Sequence, residues 1–293
     1  MASPTPTITN FRDVAQITTP SNNSSEPHQP TLNPNLFYRS ALPSTASPET
    51  RANLSNTYHI ETILDLRTDT EIAEQEKEQP EVSQPPSSDN DTQPQPKTTR
   101  ISLNGPSYSL ALIKQLPYHL TLKLALLYTI PSYRTSAIAI LGKNVMTARG
   151  LSGLAIDTLT HSTAEINQIF TTVLAEPNNY PILVHCTQGK DRTGLVVLLV
   201  CLLCGLEVEG VEGDYMRSHV ELEPEREERV KEIAKIGLPP SFAGCEEGWV
   251  AVVGGWLEKE WGGVEGYLVK GCGVEREVLE RVRGVLVVNG RVE

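Results

Sequence analysis

Cys186 and Arg192 bracket five residues in the run His185-Cys186-Thr187-Gln188-Gly189-Lys190-Asp191-Arg192-Thr193-Gly194. The pattern C-x-x-x-x-x-R suits covalent chemistry on a phosphate. A tight loop between a strand and a helix aims successive backbone N–H groups into one concavity, and a dianionic phosphate fits it. Arg192 would add a bidentate clamp that lysine could not reproduce. The same donors and helix terminus favour a thiolate at Cys186, so its sulfur is expected to be an activated nucleophile. The expected steps are in-line attack on phosphorus, a phosphocysteine intermediate and hydrolysis by water. Loop amides and Arg192 would meet the charge that metal ions neutralise in other phosphoryl-transfer sites, so neither metal nor cofactor is expected. Thr187, Gln188, Gly189, Lys190 and Thr193 are expected to line the substrate.

A leaving alkoxide or phenolate needs a proton. The chain has no Trp-Pro-Asp loop. Asp191 is the first candidate for the acid, because a bound phosphate would hold it near the leaving oxygen. Asp157 is the second, although a carboxylate in a helix is ordinarily a solvated group. Lys190 is either a solvated loop residue or a second positive charge for polyanionic head groups. His185 is expected to order the loop by hydrogen bonding rather than to act as a base. The six histidines show no metal-ligand spacing.

The elements around this run can be read from periodicity. Pro181 to His185 is a short apolar run and Leu195 to Leu206 a long one, which predicts strand, loop and buried helix in that order. Ser47-Pro48-Glu49 is a helix start within 44–58, and Glu61 to Leu66 reads as a buried strand. Apolar spacing predicts helices over 155–174, 223–236 and 275–286, and mostly helical structure over 109–142. Thr, Pro, Ser and Asn dominate 16–34, an expected irregular loop. Residues 73–100 are dense in Pro, Gln, Ser and charge, and read as a disordered insertion. The expectation is one α/β domain over 1–293 with a short, largely parallel sheet flanked by helices.

The net charge of −11 argues against a general nucleic-acid grip, which needs basic surface. Neither Leu195 to Leu206 nor Leu120 to Ile130 is long enough to span a bilayer, and surface insertion of the latter is not indicated by sequence. Met1 to Thr9 has no basic n-region and no apolar h-region, and the five cysteines lack framework spacing, so an intracellular, cytoplasmic protein with free thiols is expected. Oligomeric state is not legible.

The loop HCTQGKDRTG, with NFRDVA at 10–15, FYRSA at 37–41, DLRTDTE at 65–71, DYMRSH at 214–219 and WGGVEGYL at 261–268, resembles the atypical tyrosine/serine and lipid phosphatases. Bacterial secreted triple-specificity phosphatases and fungal relatives belong to that group. The resemblance implies Cys186 as nucleophile, Arg192 as phosphate ligand, Asp191 as general acid and, through Lys190, phosphoinositides beside phosphoproteins as substrates. Ala15-Gln16 departs from the usual Gly-Gly after NFRD. The resemblance also implies a helical lid, for which 109–142 is the candidate; plain core helices are the alternative. A catalytically inactive phosphate-binding module is the rival reading. Sulfurtransferase or arsenate-reductase chemistry is another, and it would need Cys201 or Cys204 to act as a resolving thiol.

Overall fold

The computed structural model describes residues 8–17, 30–78 and 95–288. Five strands form one sheet in the order β1-β2-β5-β3-β4: β1 (Arg12–Asp13), β2 (Phe37–Ser40), β3 (Thr62–Asp65), β4 (Lys97–Arg100) and β5 (Ile182–His185). Strands β2, β5, β3 and β4 run parallel, and only β1 is antiparallel. The register sets Ser40 and Asp65 on either side of His185, so three C-terminal strand ends open at one edge. In an open parallel sheet that edge is where ligands bind.

Between the strands run α1 (Pro48–Asn56), α2 (Asp69–Glu78), α3 (Pro106–Lys114), α4 (Tyr118–Tyr128), α5 (Arg134–Leu141), α6 (Thr147–His161) and α7 (Thr163–Gln168). After β5 come α8 (Asp191–Leu203), α9 (Val208–Glu221), α10 (Arg226–Lys235), α11 (Trp249–Trp261), α12 (Val264–Gly266) and α13 (Arg276–Leu286). Helix α1 starts as the sequence predicts: the Ser47 hydroxyl accepts from the Thr50 N–H, with Pro48 in the first turn. Helix α8 is apolar all round because it is covered all round, packing against β2, β5, α6 and α9. Leu195, Leu198 and Leu199 are each almost fully buried there, worth roughly 1.5–3 kcal/mol apiece. No helix among the described residues is long and apolar enough to cross a membrane.

Two expectations need correction. The stretch 73–100 is ordered at both ends: α2 continues to Glu78, and Lys97–Arg100 pairs in parallel with β3 as an edge strand. Residues 79–94 lie outside the described residues. An exposed edge strand needs few apolar residues, so composition alone hides it. The helix expected over 155–174 breaks at Ser162, which is buried and leaves the helical conformation; α6 ends before it and α7 begins after. Of the loop expected over 16–34, Gln16 closes a short turn and Leu32 bridges Val287, while 18–29 lie outside the described residues.

Helices α3, α4 and α5 do not join the main core. Their buried residues Tyr108, Leu112, Leu116, Leu124 and Ala137 form a separate apolar cluster with Val145. The helices expected over 109–142 therefore pack on a small core of their own rather than on the one around the sheet. Gly150, whose φ of 66° kinks α6 and admits glycine far more readily than other residues, lies between Val145 of that cluster and Ala155 of the main core.

Candidate active site

Each peptide plane carries its C=O and the next N–H in opposite directions, so the loop's carbonyls reveal where its amides point. The Cys186 carbonyl faces Nδ1 of His185 at 3.1 Å, and the Thr187 carbonyl accepts from the Leu42 N–H. Asn10 Nδ2 donates to the carbonyls of Gln188 (3.2 Å) and Gly189 (2.9 Å). Arg39 Nη2 donates to Gly189 (2.7 Å), and the Gly194 N–H to Lys190 (2.8 Å). Five carbonyls are thus held from behind, which turns the amides of 187 to 191 toward the opposite, open side. Gly189 makes this turn possible: its φ is 64°, and a Cβ there would meet the Ser40 carbonyl oxygen at 2.1 Å.

The clamp on the back face is ionic. Asp214, from α9, accepts from Arg12 Nε at 2.6 Å and from Arg39 Nη1, and all three side chains are buried. Burial alone would raise the Asp214 carboxyl, but the two guanidinium groups lower its pKa. Burial, then the charge of Arg39, brings Arg12 down to about 10. Asn10, Arg12, Arg39 and Asp214 come from NFRDVA, FYRSA and DYMRSH. The sequence alone assigned no roles to these residues. The available signal was a charged residue set among apolar and aromatic neighbours, which is buried only when paired.

On the open face, Arg192 meets Glu71 of α2. Nη1 and Nη2 donate to the two carboxylate oxygens at 2.7 and 2.5 Å, and Nη1 also reaches the Leu66 carbonyl at 3.3 Å. Glu71 further accepts from the Thr187 hydroxyl (2.8 Å), and from the N–H and hydroxyl of Thr68. Burial would raise the Glu71 carboxyl, yet the hydrogen bonds and charge of Arg192 lower it to about 2. Burial would lower the Arg192 guanidinium, and Glu71 holds it higher. Glu71 therefore fixes the plane of the arginine. It is a site residue that spacing from Cys186 could not reveal, since 115 positions separate it from the nucleophile in sequence.

His185 behaves as expected. It is fully buried, and burial, partly offset by Asp65, lowers it to about 4 so that it is neutral. Asp65 in turn receives three nitrogens of Arg67.

Cys186, Thr187, Gln188, Asp191 and Arg192 share one cavity of about 1130 Å³. Lys190, Gly189 and Thr193 do not line it. Lys190 corrects its expectation most: it is fully buried, with Nζ donating to the carbonyls of Phe242 (2.9 Å) and Gly244 (2.6 Å) and lying 3.5 Å from Asp191 Oδ1. It is neither solvated nor presented to a head group. It ties the turn at 240–244 beneath the loop and faces the Asp191 carboxylate. The Thr193 side chain is fully buried in the first turn of α8. Asp157 gives both carboxylate oxygens to Arg149 at 2.7 and 2.8 Å and does not line the cavity, whereas Asp191 lines it together with Asp69, Glu71 and Glu74. Cys201 within α8 and Cys204 at its C-terminal cap are both buried, and burial pushes the first well up and the second to about 12, so neither is a ready resolving thiol.

The rest of the cavity is largely apolar. Its walls come from α3 to α6, including Tyr108, Ile113, Leu124, Tyr128 and Leu154, and from Ile233, Leu238 and Phe242 on the other side.

Comparison with known proteins agrees with this geometry. Over 123 residues the chain is 30% identical to the triple specificity protein phosphatase PtpB of Mycobacterium tuberculosis, covering 36% of this chain and 44% of that protein. It is 31% identical over 134 residues to a tyrosine-protein phosphatase of Nostoc commune, covering 43% and 45%. The matched stretch spans less than half the length of each curated relative. The sequence profile described as a tyrosine phosphatase family matches residues 3–288, nearly the whole span that carries the sheet, the loop and the back-face ion cluster, so the chain belongs to the tyrosine phosphatase family.

Proposed function

We propose that the protein hydrolyses phosphomonoesters through Cys186. The observation that carries this reading is the loop whose five carbonyls are held from behind while Cys186, Asp191 and Arg192 open into one cavity. A phosphate seated there meets the amides of 187 to 191 and Arg192, which is already oriented by Glu71. The Cys186 thiolate attacks in line; the P–S bond forms as the P–O bond breaks, and Asp191 delivers its proton to the leaving oxygen. Water then attacks phosphorus and gives its proton to Asp191, the P–S bond breaks, and inorganic phosphate leaves with the thiolate restored.

The relative named as a tyrosine-protein phosphatase supports phosphotyrosine as a substrate, and the one named as a triple specificity protein phosphatase supports a range wider than that residue, in which phosphoserine is the next to test. The apolar walls above the loop support phosphate on an aryl or lipid group, phosphoinositides included. This support comes from the cavity rather than from Lys190. Turnover of a generic aryl phosphate tests the reading. Cys186→Ser should lower it by about four orders of magnitude or more. Asp191→Asn should lower it by about 10²–10⁴-fold, most for poor leaving groups, with Asp157→Asn near wild type. Wild-type protein that binds phosphate without turnover would establish the inactive module instead.

A further inference from the structure

Residues 102–156 contain Lys114, Lys123, Arg134, Lys143 and Arg149 and no Asp or Glu, in a chain whose net charge is −11. The acidic excess lies elsewhere. This same segment carries every exposed Leu, Ile and Tyr singled out by its large apolar surface among the described residues, all within 110–133. Tyr118, Leu122 and Leu126 are 83%, 61% and 67% exposed and recur every fourth position, which is one line along α4. Helix α4 fully buries only Leu124, packing on α5 and on the turn at 131–133. Lys123 on the same helix, Lys114 on α3, Arg134 on α5 and Lys143 in the helical turn that follows α5 are exposed.

A contiguous exposed apolar stripe on a folded protein marks a surface that meets a partner. Here the stripe mixes leucine with tyrosine, which suits the boundary between headgroups and acyl chains, and the charged side chains of its own segment, 102–156, are all cationic; acids come near only from α10, which packs on α5, and from Asp69, Glu71 and Glu74 on the cavity wall. That combination complements an anionic bilayer, whose surface attracts each nearby lysine or arginine. Leu110 and Tyr128 belong both to the exposed face and to the cavity lining, so the apolar surface is continuous with the chamber that holds Cys186.

We propose that α4 and its flanking turns dock on an anionic lipid membrane, setting the cavity mouth against the surface so that the loop receives phosphate carried on lipid head groups. The substrate half of this rests on the phosphatase reading above; the docking half does not.

Co-sedimentation with phosphatidylcholine vesicles containing about one-third phosphatidylserine, against phosphatidylcholine alone, tests the docking. Wild type should bind the anionic vesicles about tenfold more tightly, with binding weakened by salt. Leu122→Ser/Leu126→Ser should lose about tenfold, and Lys114→Gln/Lys123→Gln should lose the preference for anionic vesicles. None of these four side chains lines the cavity, so aryl phosphate turnover in buffer should be unchanged and also reports a correct fold. Equal binding by wild type and the leucine variant, or no preference for anionic vesicles, overturns the proposal. So does a dimer dissociated by the leucine substitutions, or a phosphopeptide whose turnover they lower, because a second copy or a protein substrate then covers the face. Vesicle binding without aryl phosphate turnover would remove the phosphatase reading and leave docking intact; the reverse result would do the opposite.

Discussion

Behind the phosphate loop the protein uses charge, and in front of it apolar surface. On the back face Asn10 and Arg39 donate to loop carbonyls, Asp214 ties Arg39 to Arg12, and Lys190 donates out of the loop to the Phe242 and Gly244 carbonyls, all in nearly complete burial. The front is walled by α3 to α5, which hold together through a small cluster of their own and leave much of α4 in solvent. The difference teaches where rigidity is placed. Hydrogen bonds to carbonyls have direction, and they fix amides that must converge on one anion; an apolar wall has none, and it tolerates varied groups attached to that anion.

The comparison breaks most readily at Asp214. Asp214→Ala leaves two buried guanidinium groups facing each other, which should cost about 3–5 kcal/mol and remove turnover, as thermal unfolding and an aryl phosphate assay would show. Comparable loss of activity from a wall substitution would erase the contrast.

Acid should attack the same face. His185 is at about 4 when folded against the usual 6.5 of a free imidazole, so between those values the unfolded chain binds the extra proton. Stability is full above about 6.5 and falls as pH drops toward 4, by about 3 kcal/mol in all. Denaturant titrations across that range should show the slope, and His185→Gln should flatten it.

Glu71 separates positioning from stability. Glu71→Gln should lower kcat/KM by about ten- to a hundredfold through a freer Arg192, beyond the stability it loses with the ion pair, and kinetics are therefore compared at a temperature where both proteins are folded; a fall in stability without a kinetic effect would contradict its role. The smallest effect is expected in the wall. Leu112→Ala should cost about 2 kcal/mol, seen as faster hydrogen exchange over 106–141 with β5 and α8 still protected. Global loss of protection would show that the wall belongs to the core after all.

Strand, loop and helix around Cys186 were legible because they are contiguous: periodicity marks β5 and α8, and the Cys-to-Arg spacing marks the turn between them. The placing of Asp191 on the cavity wall next to Arg192 follows from the same contiguity. Lys190 was misread because the carbonyls that bury it belong to Phe242 and Gly244, more than fifty positions on. Lys97–Arg100 was missed because an edge strand carries no apolar signature of its own.

The sequence by itself determined the chemistry on offer at 185–194 and the class of sheet that presents it, since both depend on residues within a few positions of one another. Only tertiary structure decided that Glu71 orients Arg192, that Asp214 joins Arg12 to Arg39, and that Leu122 and Leu126 face outward. Local pattern says that a side chain is charged or apolar. What lies against it is settled by chain segments far away in sequence, and burial and pairing exist only once those segments meet.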